Sequence, residues 1–429
     1  MSDAPNREPP ERMCLERFHV KHFRSLRDVE VMFEPDITVL IGRNDTGKTS
    51  LLEALAWYGE IVANGFRGVA QLRLGPSDVP PRLRANWRDE RTGRQFEHSV
   101  WCYPPSPEEH LLVGGRHWRW SPLERRVSSL RGKEHVARGL GRLASLGSIS
   151  LADWRSLTEV PDKVAEALAT AGRFRVPSPY LLEPSALSLA VRVDADRVGG
   201  NGAGWAILLQ DIINRRDGTL EELEGHVRAL FPFFRRATVV EERWLVSREV
   251  VALDERSGRS GASGPLPGAA ARSPEETLAA RQVQCEVAAP ASKPGPEHVA
   301  WVSAEAMSSG VLLALAYLTV AMSSPPGSLL LLEEPENGLN RVITLRMMER
   351  FLEVVRQRQH QLIMTTHNEF WLDLVGPERI RVVTRDDAGT HVSADPDNMR
   401  ALQEEGFMLS EAMALGGPER LIEKRRGHV

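Results

Sequence analysis

Four short stretches of this chain hold residues whose types and spacing could do chemistry. The first, Gly42-Arg43-Asn44-Asp45-Thr46-Gly47-Lys48-Thr49, matches G-x-x-x-x-G-K-[ST] and continues into Ser50. Glycines let the backbone turn its N–H groups inward around phosphate oxygens, and a helix starting here adds the partial positive charge of its N-terminus. Lys48 would bridge the β- and γ-phosphates, Thr49 would ligate Mg²⁺, and Gly42, Asn44, Thr46, Gly47 and Ser50 complete the expected phosphate contacts. A glycine turn with a solvated lysine is the alternative, and the apolar segments on both sides disfavour it. The second stretch, "SLLLLEEPENGLN", ends four leucines in Glu333 and Glu334. Glu333 is expected in the Mg²⁺ shell and Glu334 as the base that holds and deprotonates an attacking water. Taken alone, two acids are as readily a solvated face. The third, "LIMTTHN", ends in His367, which could donate to a γ-phosphate or to that water; a satisfied structural histidine is the alternative. In the fourth, "SAEAMSSGVLLALAYL", Ser308, Ser309 and Gly310 start an apolar helix and form another anion-binding end. A second subunit's phosphate would suit it, since this chain has no other phosphate loop to offer.

These residues need elements to hold them. Ile37 to Ile41 is a continuous apolar run after two alternating runs, as a hairpin feeding a buried strand would give, and Leu51, Leu52, Leu55 and Ala56 recur at helical spacing. The pattern therefore predicts strand, loop, helix. After residue 298 it predicts an extended Val299 to Ser303, a helix over Val311 to Met322, a buried strand over Leu329 to Leu332, a helix over Val342 to Gln357, a strand over Gln361 to Met364, and a hairpin turning at Asp386 to Gly389. Strands alternating with helices imply a largely parallel sheet. Between these halves, about 63 to 296, the character changes. "RQFEHSVWCY" reads as a strand, and "TLEELEGHVRAL" as a helix capped by Thr219 with Leu220, Leu223, Val227 and Leu230 on one face. "ERSGRSGASGPLPGAAARSPEE" reads as a flexible loop near 255–280 joining two strands. The expected organisation is a split core of 13–62 and 297–400, an inserted region of 63–296 with antiparallel strands and helices, and a helical tail of 401–429.

Composition bounds the function. At 429 residues the chain exceeds one usual core, and a net charge of -4 argues against an overall polyanion binder while allowing a local basic patch. Cys14, Cys102 and Cys285 are too scattered for a disulfide framework or a zinc site, which fits a reducing cytosol. The polar, proline-containing start does not resemble a secretion signal, and Val311 to Met322 is shorter than the roughly 20 residues a bilayer needs. A cytoplasmic protein without a membrane partner is expected.

The order of phosphate loop, long insertion, Ser-Ser-Gly helix start, acid pair and Thr-Thr-His resembles the ABC-type ATPases of the structural-maintenance (SMC), RecF and overcoming-lysogenization-defect groups. It looks most like the small bacterial "AAA family ATPases" of the last group, without a nuclease module. "KHFRSLRDVEV", "GRNDTGKTSLLEAL", "MSSGVLLALAYL", "LLLLEEPENGLN" and "TTHN" carry the resemblance. It implies an α/β P-loop NTPase fold with a mixed, largely parallel sheet and a large α+β insertion, and a head-to-tail homodimer with two ATPs between the loop of one subunit and the Ser308 helix of the other. By the same resemblance Arg24 is a phosphate or nucleotide contact and Gln71 the glutamine that senses Mg²⁺. The chain departs from the group where L-S-G-G-Q would stand, with Met307-Ser308-Ser309-Gly310-Val311, and in having Glu333 for the usual aspartate.

The implied function is an ATP-binding and ATP-hydrolysing switch in bacterial DNA maintenance or anti-phage defence, working with a separate effector protein. The alternatives are the energising subunit of a membrane transporter, which would carry a stricter L-S-G-G-Q, and a RecF-like repair ATPase. A self-contained nuclease is disfavoured by the short stretch after His367, where Asp395 and Asp397 read better as a turn. From Arg116 to Arg142 eight Lys/Arg stand against two Glu with Trp118 and Trp120 interleaved, which could track DNA with the rings stacked on bases. A solvated arginine-rich surface is the competing reading.

Overall fold

The computed structural model describes residues 12–66, 79–102, 107–113, 116–122, 126–129, 134–136, 145, 149, 162–192, 198–246, 276–288 and 299–422. The flexible loop expected near 255–280 lies almost wholly outside them, as does Gln71.

Five strands make the core sheet, in the order Leu329–Glu333, Gln361–Thr366, Ile37–Ile41, Ile380–Asp386, Gly389–Ser393. The first four run parallel, and the last closes the expected hairpin antiparallel. Ile37–Ile41 and Gln361–Thr366 are buried throughout, as strands covered on both faces must be. Register sets the chemistry: Glu333 lies beside Thr365 and Thr366 beside Ile41, so the chain leaves all three strands at one level. Loops at the carboxyl ends of neighbouring parallel strands share one crevice. On the outer edge Tyr180, from the inserted region, adds one parallel bridge. Its N–H donates to Leu331 O at 2.9 Å and its carbonyl accepts from Glu333 N at 2.9 Å.

A second sheet of eight antiparallel strands runs Leu26–Met32, Met13–Phe23, Arg82–Asp89, Gln95–Trp101, Glu108–Val113, Arg116–Ser121, Arg126–Ser129, Glu134–Val136. The N-terminal hairpin thus pairs with strands of the inserted region, and the sheet runs across the expected boundary at residue 62. Alternation decides its faces: Leu83, Ala85 and Trp87 point inward while Arg82 and Arg84 point out. The inner face packs on the helix Lys48–Asn64, where Phe18 and Tyr58 meet edge to face. One buried amide ties this sheet to the core. Gln361 Oε1 accepts from Leu15 N at 2.9 Å, and its Nε2 donates to Leu15 O at 2.8 Å and Glu34 O at 2.9 Å.

Here the structure corrects one expectation. Trp118 and Trp120 are 7% and 0% exposed, inside the core under the second sheet, so their rings cannot stack on bases. Alternation explains it: both point to the apolar face, and Arg119 between them points out.

Phe234–Val246 and Glu276–Ala288 form the long pair expected around the loop, and Val299–Ser303 and Val191–Arg192 also pair with Glu276–Ala288. The helix Ser309–Ser323 is buried from Val311 to Ser323 on every side, among Ala206–Arg215, Thr219–Leu230 and Arg341–Gln357. No helix of the described residues is long and apolar enough to cross a membrane. Thr219 is not the cap that was expected: Gly218 holds that position at φ 89°, and Asp217 Oδ1 accepts from Thr219 N at 3.1 Å. Asp395 is likewise a helix cap, accepting from Asn398 N at 3.0 Å. All three cysteines are free and buried, and burial pushes the Cys14 thiol up to about 11 and those of Cys102 and Cys285 up to about 12.

Candidate active site

The phosphate loop is held from below and from the side. Thr46 Oγ1 donates to Arg43 O at 2.9 Å and Thr390 Oγ1 donates to Thr46 O at 2.8 Å, so the terminal hairpin braces the loop. Gly47 sits at φ 104°, and a Cβ there would stand 2.5 Å from Thr390 Oγ1; at Gly42 one would stand 2.1 Å from Val383 O. Both positions therefore require glycine. Lys48 is 5% exposed, its ammonium donating to Gly42 O at 2.8 Å and Arg43 O at 2.9 Å. Burial lowers its pKa, and the carboxylates of Glu334, Glu336 and Glu333 act against that. Four charged groups from two strand ends thus sit within electrostatic reach of one another.

Glu333 closes its strand with the carboxylate toward the loop: Thr49 Oγ1 donates to its Oε1 at 2.5 Å. Burial raises the Glu333 pKa, and the Thr49 hydrogen bond opposes the rise. Glu334 turns out of the strand at φ 42°, a left-handed conformation uncommon outside glycine and asparagine, with its N–H donating to Thr365 O at 2.9 Å. Backbone in so sparse a region concentrates at functional sites. Asn337 Nδ2 donates to Glu334 Oε2 at 2.9 Å, and Glu334 Oε1 stands 3.4 Å from His367 Nδ1.

A cleft of about 480 Å³ opens over these groups, within the range of small-ligand sites. Of the residues expected from sequence, Arg24, Asn44, Thr46, Gly47, Lys48, Thr49, Ser50, Glu334 and His367 line it. Gly42 lies beneath as an acceptor for Lys48, and Glu333 meets Thr49. Arg24, at φ 50°, is ion-paired with Glu53. Ser308 and Ser309 are exposed and, with Gly310, stand outside this cleft; the helix has no side-chain cap hydrogen bond at Ser308.

Sequence reasoning passed over Ser25, Asp45 and Arg385, which also line the cleft, and over Thr390 and Glu336, which hydrogen-bond to residues beside it. Arg385 Nη1 donates to Asp45 O at 3.0 Å and stands 3.3 Å from Asp45 Oδ2. Only the third acid of "EEPE" carried a local sign.

The residues fit a magnesium triphosphate. Thr49 and Glu333 offer the hard oxygen donors Mg²⁺ takes, and Lys48, Arg24 and Arg385 bring positive charge for phosphate oxygens. Among the described residues no group of three or more His, Cys, Asp or Glu could hold a metal.

Two family models match the chain. An AAA ATPase domain covers residues 13–57, and an AAA domain whose description names the AbiEii toxin and type IV toxin–antitoxin systems covers residues 291–373. The "DNA replication and repair protein RecF" of Ligilactobacillus salivarius is 54% identical over 43 residues, 10% of this chain and 11% of RecF. The "DNA double-strand break repair Rad50 ATPase" of Archaeoglobus fulgidus is 22% identical over 150 residues, 30% of this chain and 17% of Rad50. The chain therefore spans well under two thirds of either relative. Among solved structures, the SMC head bound to the C-winged helix domain of ScpA is similar at 14% identity and a TM-score of 0.47, over 89% of this chain and 98% of that one. The two family matches fall on the two sides of the cleft, phosphate loop and acid pair, so the site is built from two stretches that are similar to AAA-type ATPase domains, with the inserted region between them.

Proposed function

We propose that this chain hydrolyses ATP as a switch, closing as a homodimer around ATP and opening after hydrolysis, and that it passes the change to a separate effector in DNA maintenance or anti-phage defence in the cytoplasm. The observation that carries the chemistry is the meeting of Lys48, Thr49, Glu334 and His367 in one cleft, with Glu333 against Thr49. Lys48 and the loop N–H groups bind the phosphates. Glu334, oriented by Asn337, takes the proton of the attacking water, and His367 beside it donates to the terminal phosphate or to that water. Thr49 and Glu333 would hold magnesium, which would supply neutralisation of phosphoryl charge. Gln71 stands as the Mg²⁺ sensor in this reading.

Dimerisation is supported by the Ser308 end. Its hydroxyls are exposed and its helix N-terminus has no side-chain cap, so a second subunit's phosphates would find free donors there. The DNA reading is supported by what the RecF and Rad50 relatives are named for, and by Arg116, Arg119 and Arg126, exposed on the second sheet. The test is ATP turnover and oligomeric state of the purified protein, with and without ATP and double-stranded DNA. Turnover with ATP-dependent dimers, stimulated by DNA, is expected. No turnover removes the enzyme reading, monomers with ATP remove the switch, and indifference to DNA moves the trigger to another partner.

A further inference from the structure

Glu336 lies three residues beyond the strand of the acid pair, is 7% exposed and does not line the cleft. Its two oxygens take two partners. Thr366 Oγ1 donates to Oε1 at 2.5 Å, and Trp371 Nε1 donates to Oε2 at 3.2 Å. Thr366 is the residue before His367, and its Oγ1 also accepts from Asn368 N at 2.9 Å, just after it. Trp371 belongs to the helix Phe370–Val375 that follows. The histidine turn is therefore gripped on both sides by one carboxylate that the acid-pair loop supplies. The same Oε1 stands 3.9 Å from His367 Nδ1, which is itself 3.4 Å from Glu334 Oε1.

A buried carboxylate is retained only where its oxygens are satisfied, and here both are used on the segment that carries His367. We infer that Glu336 is a positioning residue: it locks the Thr366-His367-Asn368 turn to the acid-pair loop and turns the His367 Nδ1 side toward Glu334, leaving Nε2 for the cleft. The inference rests on the reading of the cleft as an ATP-hydrolysing site. It goes beyond that reading in assigning the geometry of His367 to a residue outside the cleft.

The experiment combines a double-mutant cycle with a spectroscopic measurement on the whole chain. Glu336→Gln keeps the shape but removes the charge and one acceptor. It should lower kcat about tenfold or more while ATP affinity stays within about twofold, as loss of alignment without loss of binding does. In a His367→Ala background the same change should cost nothing further, because its effect runs through the histidine. A loss of equal size in both backgrounds, or one that appears in ATP affinity, overturns the inference. Thr366→Val breaks the grip while leaving the carboxylate, and should reproduce the kcat loss; wild-type turnover in a folded Thr366→Val protein counts equally against it. The ring ¹⁵N resonances of His367 without nucleotide are the second readout and should move in Glu336→Gln. Unchanged resonances refute the positioning role even if the wild type hydrolyses no ATP, whereas moved resonances without turnover leave Glu336 in place and remove the enzyme reading alone.

Discussion

At the scale of single residues the cleft divides labour by charge. Lys48 is buried with its ammonium on two backbone carbonyls, and three carboxylates from the acid loop help hold it charged. Triphosphate oxygens would displace those carbonyls, and among the described residues no other lysine lines the cleft. Lys48→Ala should therefore abolish nucleotide binding, read by equilibrium binding of a fluorescent ATP analogue; tight binding by the variant would unseat the loop assignment. Glu334 differs: in the proposed reaction its carboxylate takes the proton of water instead of binding phosphate, and it has Asn337 on one oxygen and His367 near the other. Glu334→Gln should keep ATP affinity and slow hydrolysis by about 10² or more, as removing a general base does. Single-turnover kinetics with bound ATP decide it, and unchanged rates would place the base elsewhere. Most of these residues were legible in the sequence because each stands in a local pattern: glycine spacing around Lys48, or an acid pair after four leucines. Thr390 and Arg385 were not, since they reach the loop from more than 300 residues away and nothing around them marks the contact.

At the scale of elements, patterning works where a segment is buried by itself and fails where its partner is distant. The strand Leu329–Glu333 and the helices Ser309–Ser323 and Arg341–Gln357 fall within a residue or two of expectation, because continuous or 3.6-period apolar patterns define them. The pairing of Met13–Phe23 with Arg82–Asp89 could not be read, since antiparallel partners leave no sequence trace of which strand they join. The tryptophan expectation failed for a related reason: period-2 alternation through Arg116–Ser121 says that two faces exist, and the fold decides which is inside. One fastening between the two sheets is Gln361, whose amide bonds both the N–H and the carbonyl of Leu15. Gln361→Leu would leave Leu15 N, Leu15 O and Glu34 O without that partner in a dry site. A destabilisation of about 2 to 4 kcal/mol is expected, at the stated costs for unpaired buried groups. Urea unfolding measures it, and a loss below about 0.5 kcal/mol would mean that other contacts, apolar packing and the Arg381 hydrogen bond to Met32 O among them, hold the sheets together.

At the scale of the whole molecule, the cleft and the Ser308 helix start are separate features of one chain, and the proposed dimer is what would bring them together. In such a dimer each nucleotide would sit between the loop of one protomer and the Ser308 end of its twin. This geometry has a consequence that no single-chain site shares. Lys48→Ala spoils only the loop side of a composite site, and Ser308→Glu spoils only the capping side by setting a carboxylate against phosphate. Each variant alone should be inactive. Mixed in equal amounts, about half of the dimers would pair the two variants if exchange is random, and each such dimer would keep one site with an intact loop and an intact cap. ATPase activity should then reappear on mixing, at about a quarter of the wild-type level where one site turns over without the other, since half of the dimers keep one of two sites. Glu334→Gln, introduced into the Ser308→Glu chain, should remove the regained activity, because the surviving site would draw its base from that protomer. Wild-type turnover by folded Ser308→Glu alone would show that nucleotide is bound and hydrolysed within one protomer, and that the exposed serines at Ser308 and Ser309 serve another partner.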